Sequence, residues 1–196
     1  MTIGITGGIG SGKSYIARWL SERYAMPLYD CDREARRLML TPALRRRLTA
    51  LIGVEAYLPD GQLNKPFVAQ YLFADDAHAA AVNAIVHPAV RRDVRRWAQR
   101  QAGPSLVESA ILVEAGLLDV VDKLIVVEAP LELRIQRVIS RDGTTGHQVR
   151  QRIARQTTDD QRRRFADCVV VNDGSDFTAE LRFFIDSLLA QSKQNA

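Results

Sequence analysis

Short apolar runs alternate with longer helical patterns along the chain, an order typical of a parallel sheet wrapped by helices. The apolar runs predict five strands, at Thr2–Thr6, Pro27–Asp30, Ser105–Val113, Lys123–Glu128 and Cys168–Val171. The last two are so uniformly apolar that we expect them to be buried on both faces. The pattern therefore predicts a three-layer α/β fold built on a parallel sheet.

Helical patterns follow the first, second and last of these strands, at Ser14–Tyr24, Glu34–Leu40 and Phe177–Ala190. A mostly helical insertion separates the second strand from the third, and it is longer than a connection between neighbouring strands requires. We expect this insertion, about residues 33–103, to be a subdomain that holds a substrate. A polar stretch over residues 141–164 has few large apolar residues and predicts a mobile lid. The core of this single domain would then comprise residues 1–32, 104–140 and 165–196.

Composition and charge narrow the class of protein without deciding its activity. The 196 residues are 46% hydrophobic, enough for one sizeable core, and the net charge is +4 with arginines interleaved with acids. That balance favours small anionic substrates over nucleic acid. Cys31 and Cys168 are too far apart for a metal or redox motif, Met1 leads directly into an apolar strand, and no apolar run approaches membrane length. We therefore expect a cytoplasmic protein that binds neither nucleic acid nor membrane, with no indication of its oligomeric state.

The segment GGIGSGKS, residues 7–14, matches the P-loop pattern G-x-x-x-x-G-K-[ST]. Such a loop turns its amide N–H groups around polyphosphate oxygens, and side chains at the closest points would block that approach. Lys13 adds a cation for the β- and γ-phosphates, and the Ser14 hydroxyl is suited to bind Mg²⁺. Because the motif lies between a predicted strand and a predicted helix, we expect it to bind a nucleoside triphosphate. The candidate contacts are Gly8, Ile9, Gly10, Ser11, Gly12, Lys13, Ser14 and Tyr15.

A P-loop alone does not distinguish a kinase from a switch GTPase or a motor ATPase. The Asn64-Lys65 pair is followed by Pro66-Phe67, so the guanine motif N-K-x-D is absent, and no D-x-x-G occurs in the chain. A small chain with a long helical insertion and an arginine-rich lid is more typical of a small-molecule kinase.

Two carboxylates, Asp30 and Asp32, follow the second predicted strand, at the edge where open α/β sheets bind ligands. A carboxylate at this position could accept the proton of a hydroxyl that receives a phosphoryl group. Asp32 could also cap a helix that starts near Arg33. The two roles do not exclude each other.

The helical pattern LELRIQRVISR, from Leu131, places Arg134, Arg137 and Arg141 within an arc of about 60°. An apolar stripe of Leu131, Ile135, Val138 and Ile139 occupies the neighbouring arc. Arginines on such a stripe could stabilise charge on a transferring phosphoryl group, although an ordinary solvent-facing helix also carries arginines. Further candidates in the lid are Arg150, Arg152 and Arg155.

The motifs as a set resemble the dephospho-CoA kinase family, in order and over nearly the whole chain. They are TGGIGSGKS, D-x-D-x-x-A-R at residues 30–36, His87-Pro88, L-V-E at residues 112–114 and R-D-G at residues 141–143. The resemblance implies transfer of the γ-phosphate of ATP, with Mg²⁺, to the ribose 3′-hydroxyl of dephospho-CoA, the last step of coenzyme A synthesis. A different small-metabolite kinase, such as a nucleoside monophosphate kinase, and a non-catalytic nucleotide-binding module are the alternatives.

The resemblance also implies roles for individual residues. Asp32 matches the catalytic base, which would act with Lys13, Arg137 and Arg141, and Asp30 would support it. Arg36 and His87 match positions that hold the acceptor, although Arg36 could also be a solvated arginine of a helix and His87 a structural residue. Because the residue before a proline avoids helical geometry, we expect one helix to end and another to begin at His87-Pro88. Asn172 and Gly174 match a loop beside the adenine ring, where a simple turn would use the same residues. The chain departs from the family pattern at Tyr15, Lys65 and residues 110–114.

Overall fold

The computed structural model describes residues 1–194, and its five strands form one sheet in the order β2-β3-β1-β4-β5. Strand β1 pairs in parallel with β3 and with β4, and β4 pairs in parallel with β5. The predicted α/β fold with a parallel sheet is thereby confirmed. The strands are β1 Thr2–Thr6, β2 Leu28–Asp30, β3 Ser105–Glu108, β4 Lys123–Glu128 and β5 Cys168–Val171.

The bounds of β1, β4 and β5 are those that the apolar runs predict, but β3 ends five residues early, at Glu108 rather than Val113. After Glu108 the hydroxyl oxygen of Ser109 accepts a hydrogen bond from the Ile111 amide, and the chain continues through turns to Gly116. The expectation that both β4 and β5 are buried on both faces is correct only for β4. Strand β5 lies at the edge of the sheet, and Val171 is 47% exposed there.

The helices cover most of the remaining chain. Helix α1 begins one residue before its predicted start, and the break predicted at His87-Pro88 is wrong, because one helix of 24 residues runs through both. Pro88 lies inside that helix and is exposed. The helices are α1 Lys13–Tyr24, α2 Cys31–Met39, α3 Pro42–Ile52, α4 Lys65–Ala74, α5 Asp76–Gln99, α6 Leu131–Asp142, α7 Gly146–Ala154, α8 Asp159–Arg163 and α9 Thr178–Gln194.

The chain divides into two compact units. The sheet unit consists of Met1–Tyr29 and the chain from Arg100 onward, and the helical unit consists of Asp30–Gln99. The core of the sheet unit joins strands β1, β3 and β4 to α1 and α9 through Ile3, Ile5, Ile16, Leu20, Leu106, Ile125, Leu181 and Ile185. The helical unit buries Leu44, Leu48, Val68, Val86, Val90 and Val94. The functional division into a nucleotide core, an acceptor subdomain and a lid stays a prediction.

Parallel pairing aligns the carboxyl ends of the central strands within the sheet unit. Ile5 of β1 lies opposite Glu108 of β3, and Thr6 lies opposite Val126 of β4. The segments that follow β1, β3 and β4 therefore leave the sheet at one edge, where α/β proteins bind their ligands. Among residues 1–194, no helix is both long and apolar enough to cross a membrane.

Candidate active site

The loop between β1 and α1 is a tight cradle in which two glycines adopt left-handed backbone conformations. Gly10 and Gly12 have φ angles of 79° and 89°, in the left-handed region that disfavours other residues. Space imposes the same restriction, because a Cβ at Gly10 would lie 2.5 Å from the carbonyl oxygen of Arg134, and one at Gly12 would overlap the side-chain amide of Asn172. The glycines are therefore required by the protein groups packed around the loop as well as by the backbone shape.

The N-terminal end of α1 is suited to bind an anion. No side chain caps the helix at Gly12, and its first turn contains no acidic residue. The partial positive charge of the helix end is therefore not neutralised by this helix itself. Lys13 adds a full positive charge there, and its side chain is 12% exposed. Two amides of the loop are already used within the protein, because Ser11 donates to the Gly8 carbonyl and Ile9 donates to the side chain of Gln156.

A buried carboxylate, Glu108, meets the P-loop at the end of β3. The Ser14 hydroxyl donates to Oε1 of Glu108 at 2.7 Å, and Nζ of Lys13 lies 3.8 Å from the same oxygen. Glu108 is not among the residues predicted from the sequence, because the apolar pattern places it inside a longer strand. The available signal was an acid directly after the apolar pair Leu106-Val107.

The donors at this position suit a small divalent cation. A hydroxyl and a carboxylate are hard oxygen ligands of the kind that Mg²⁺ prefers, and Mg²⁺ usually completes its shell with phosphate and water oxygens. The described residues contain no cluster of three or more His, Cys, Asp or Glu side chains that could hold a metal alone. Ser14 and Glu108 therefore fit an ion that arrives with the nucleotide.

The arginines of α6 have three different environments. Arg134 is buried, donates from Nε to the Ile9 carbonyl at 3.0 Å and pairs with Asp159 at 3.0 Å. Its predicted position on a stripe facing phosphates is therefore wrong, because it packs under the loop as a structural residue. Within the predicted apolar stripe, Ile135 and Val138 are buried, but Leu131 and Ile139 are exposed.

Arg137 and Arg141, the two candidates for phosphate contact, also differ. Arg137 donates to the carbonyl of Asn172 at 3.1 Å, and the Asn172 side chain donates to the Ser11 carbonyl at 2.9 Å. Arg137 therefore lies at the P-loop. Arg141 is exposed and donates to Asp142 at 2.7 Å, a hydrogen bond that holds the pKa of Asp142 below its ordinary value.

The predicted lid consists of the end of α6 with α7 and α8. Thr145 and Thr158 cap the two lid helices, each in a reciprocal pair with the glutamine three residues later. Arg150 pairs with Glu132 at 2.8 Å, and Arg152 pairs with Asp142 at 3.2 Å, so both contact side chains of α6. Arg155 is exposed.

The other residues of the sheet unit that are predicted to bind the nucleotide lie in α1 or after β5. Tyr15 is 55% exposed, and its ring meets that of Phe177 edge to face at 6.0 Å. Gly174 has a φ of 108° and open space around it, while Asn172 is buried against the loop. The structure thus brings Lys13, Ser14, Arg137 and Asn172 to one cradle.

The acceptor candidates lie in the helical unit. Asp30, the last residue of β2, is the N-cap of α2, because its side chain accepts from the Arg33 amide at 3.0 Å. The alternative in which Asp32 caps this helix is therefore wrong. Asp32 lies exposed in the first turn, and among residues 1–194 its carboxylate has no hydrogen bond or ion pair. Arg36 is exposed one turn later, and His87 is half-buried on α5.

Comparisons with known proteins give a consistent result. A family model described as dephospho-CoA kinase matches residues 1–177. The dephospho-CoA kinase of Bacteroides fragilis is 43% identical over 175 residues, which span 88% of this chain and 84% of that protein.

Solved structures share the fold. A crystal structure titled TT1252 from Thermus thermophilus has a TM-score of 0.79 and 31% identity, covering 97% of each chain. Dephospho-CoA kinase from Campylobacter jejuni has a TM-score of 0.69 at 18% identity, covering 100% of this chain and 98% of that one. The fold predicted from the P-loop and the parallel sheet, that of a P-loop kinase, is confirmed.

Proposed function

The chain belongs to the dephospho-CoA kinase family, and on that premise we propose which of its residues bind ATP, receive the acceptor and transfer the phosphate. As a member of the family it is an ATP-dependent kinase that completes coenzyme A synthesis, and neither a different metabolite kinase nor a non-catalytic module is favoured. Its substrates are the small molecules ATP and dephospho-CoA. We further propose a cytoplasmic location, in keeping with those substrates.

The observation that carries the assignment of the ATP site is the uncapped N-terminal end of α1 with Lys13 beside it. ATP would place its phosphates against this helix end, where backbone N–H groups and the Lys13 ammonium favour negative charge. The candidate set is Gly8, Gly10, Gly12, Lys13 and Ser14, with Tyr15, Asn172 and Gly174 nearer the base. Ile9 and Ser11 would contribute to ATP binding through the shape of the loop, because their amides already donate hydrogen bonds to other groups of the protein.

The transfer step needs a group that accepts a proton. In the proposed reaction the ribose 3′-oxygen of dephospho-CoA forms a bond to the γ-phosphorus, the bond from that phosphorus to the β,γ-bridging oxygen breaks, and ADP leaves. Asp32 would take the hydroxyl proton. The match of Asp32 to the family's catalytic base supports this role. Its carboxylate is also exposed, and it is not used to cap α2, because Asp30 provides that cap.

Arginines are proposed to stabilise the charge in the transition state and to hold the acceptor. Arg137, at the P-loop, and Arg141, one helical turn later, would stabilise the transferring phosphoryl group. Arg36 would bind a phosphate of dephospho-CoA, for which a guanidinium offers paired donors. His87 would contact the acceptor from α5.

Mg²⁺ is the proposed metal, held by Ser14 with Glu108 beside it and supplied together with ATP. When bound, it would neutralise charge on the β- and γ-phosphate oxygens. Glu108 accepts from the Ser14 hydroxyl and so fixes its orientation.

Replacing Glu108 with glutamine should raise the Mg²⁺ concentration for half-maximal activity about tenfold, because a neutral amide is a weaker partner for the cation and its hydroxyl ligand. The measurement is a Mg²⁺ titration of ADP release at fixed ATP. Glu128 offers a matched control, since it is equally buried at the end of β4, on the other side of β1, but pairs with Arg163. Glu128→Gln should leave the Mg²⁺ dependence unchanged, and an equal shift in both variants would contradict the role of Glu108.

The function is tested by measuring ADP release from ATP with dephospho-CoA, with AMP, with CMP and without an acceptor. We expect release to depend on dephospho-CoA and the product to carry a new phosphate at the ribose 3′ position. A preference for AMP or CMP would indicate the nucleoside monophosphate kinase alternative. Nucleotide binding without acceptor-dependent release would indicate a non-catalytic module.

A further inference from the structure

One residue of the P-loop, Ile9, is held from three directions by helix α6 and by residues of the predicted lid. Its amide donates to Oε1 of Gln156 at 2.8 Å, and its carbonyl accepts from Nε of Arg134 at 3.0 Å. Its side chain packs against a small core formed by Ile135 and Val138 of α6 with Val149 of α7. Ile9 therefore links the P-loop to α6, to α7 and to the segment that follows α7.

Gln156 lies between α7 and α8, in a segment that is itself fixed at several points. The amide of the next residue, Thr157, donates to Glu114 at 3.0 Å. Asp159, at the start of α8, pairs with both Arg134 and the buried Arg162 at 3.0 Å. With its segment fixed by these contacts, the Gln156 side chain can hold the Gly8–Ile9 peptide in one orientation.

We propose that Gln156 is a positioning residue for ATP, which fixes the Gly8–Ile9 peptide by accepting from the Ile9 amide and thereby couples the lid segment to the shape of the P-loop. Gly10, the residue after Ile9, has a left-handed backbone and lies against Arg134, so a rotation of the Gly8–Ile9 peptide would displace the adjoining backbone of the cradle. Glutamine suits the task because its uncharged oxygen accepts from the amide without repelling phosphate. This inference rests on the proposed binding of ATP by the P-loop.

Gln156→Met tests the proposal, because methionine keeps the unbranched shape but has no oxygen acceptor. Losing one hydrogen bond should speed hydrogen exchange of the Ile9 amide in the nucleotide-free protein about tenfold. It should also raise the Kd of ATP about tenfold, while the KM for dephospho-CoA changes less than about twofold. Exchange is measured on a peptide that covers residues 7–13, and ATP affinity by calorimetry.

Two further variants separate positioning from general destabilisation. Gln156→Glu retains an oxygen at the same reach, so exchange of the Ile9 amide should stay near that of the wild type. Gln151→Met alters an exposed glutamine of α7 that contacts His147, and it should change neither exchange nor ATP affinity.

The proposal would be overturned by Gln156→Met showing wild-type ATP affinity, whether or not exchange of Ile9 changes. It would also be overturned by equal losses for ATP and dephospho-CoA, or by the same losses in Gln151→Met. A wild-type enzyme that does not bind ATP would instead overturn the proposed nucleotide site.

Discussion

Replacing Asp32 with asparagine is expected to lower kcat about 10³-fold, because the amide cannot accept the proton of the attacking hydroxyl. The ATP affinity should change little, because Asp32 is not among the proposed contacts of ATP. The fold should also persist, since Asp32 is exposed and Asp30 provides the cap of α2. The measurements are turnover with saturating dephospho-CoA and ATP binding by calorimetry.

Asp30→Asn is the matched control for this experiment. Asparagine caps helices about as well as aspartate, so the variant removes one neighbouring charge and keeps the start of α2 intact. We expect a loss of less than about tenfold in kcat, far below that of a general base. Turnover of Asp32→Asn within the same tenfold range would rule out Asp32 as the base.

Replacing Lys13 with methionine is expected to lower kcat/KM for ATP about 10²- to 10³-fold, because the cation at the β- and γ-phosphates is lost. The variant also leaves Glu108 buried without the ammonium that lies 3.8 Å away. Part of any loss could therefore come from destabilisation of the fold.

The double variant Lys13→Met with Glu108→Gln separates these two effects. Removing both charges should restore much of the free energy of unfolding, since the double variant no longer buries a negative charge that has lost the Lys13 ammonium. It should not restore activity, because the phosphates still lack their cation. Recovery of kcat/KM in the double variant would show that Lys13 acts by stabilising the fold rather than by binding phosphate. Urea unfolding and ADP release provide the two measurements.

Local sequence patterns were sufficient to predict much of the fold. The bounds of β1, β4 and β5 follow from short apolar runs, and the P-loop is recognisable because its glycines, lysine and serine are consecutive in the chain. The end of β3 and the passage of α5 through Pro88 could not be derived in this way. The local rule that a proline breaks a helix is overridden where the surrounding helix packs, as the buried Ile85, Val86 and Ala89 show.

The roles of charged side chains depended on contacts that no local pattern contains. The sequence indicates Asp32 as a possible cap of this helix, and only the backbone at the start of α2 assigns the cap to Asp30. Arg134, Arg137 and Arg141 share one helical face, yet one is buried under the loop, one contacts Asn172 and one is exposed.

The sequence by itself determined the phosphate-binding loop, the parallel α/β fold and, through its resemblance, the kinase family, because each depends on residues that are close along the chain or arranged in a recognisable order. The tertiary structure alone decided which groups complete the cradle. Glu108 reaches Ser14 across 94 residues, and Gln156 reaches Ile9 across 147. Contacts between such distant residues form only when the fold brings their segments together at one edge of the sheet. They could therefore not be predicted from residues that are close along the chain.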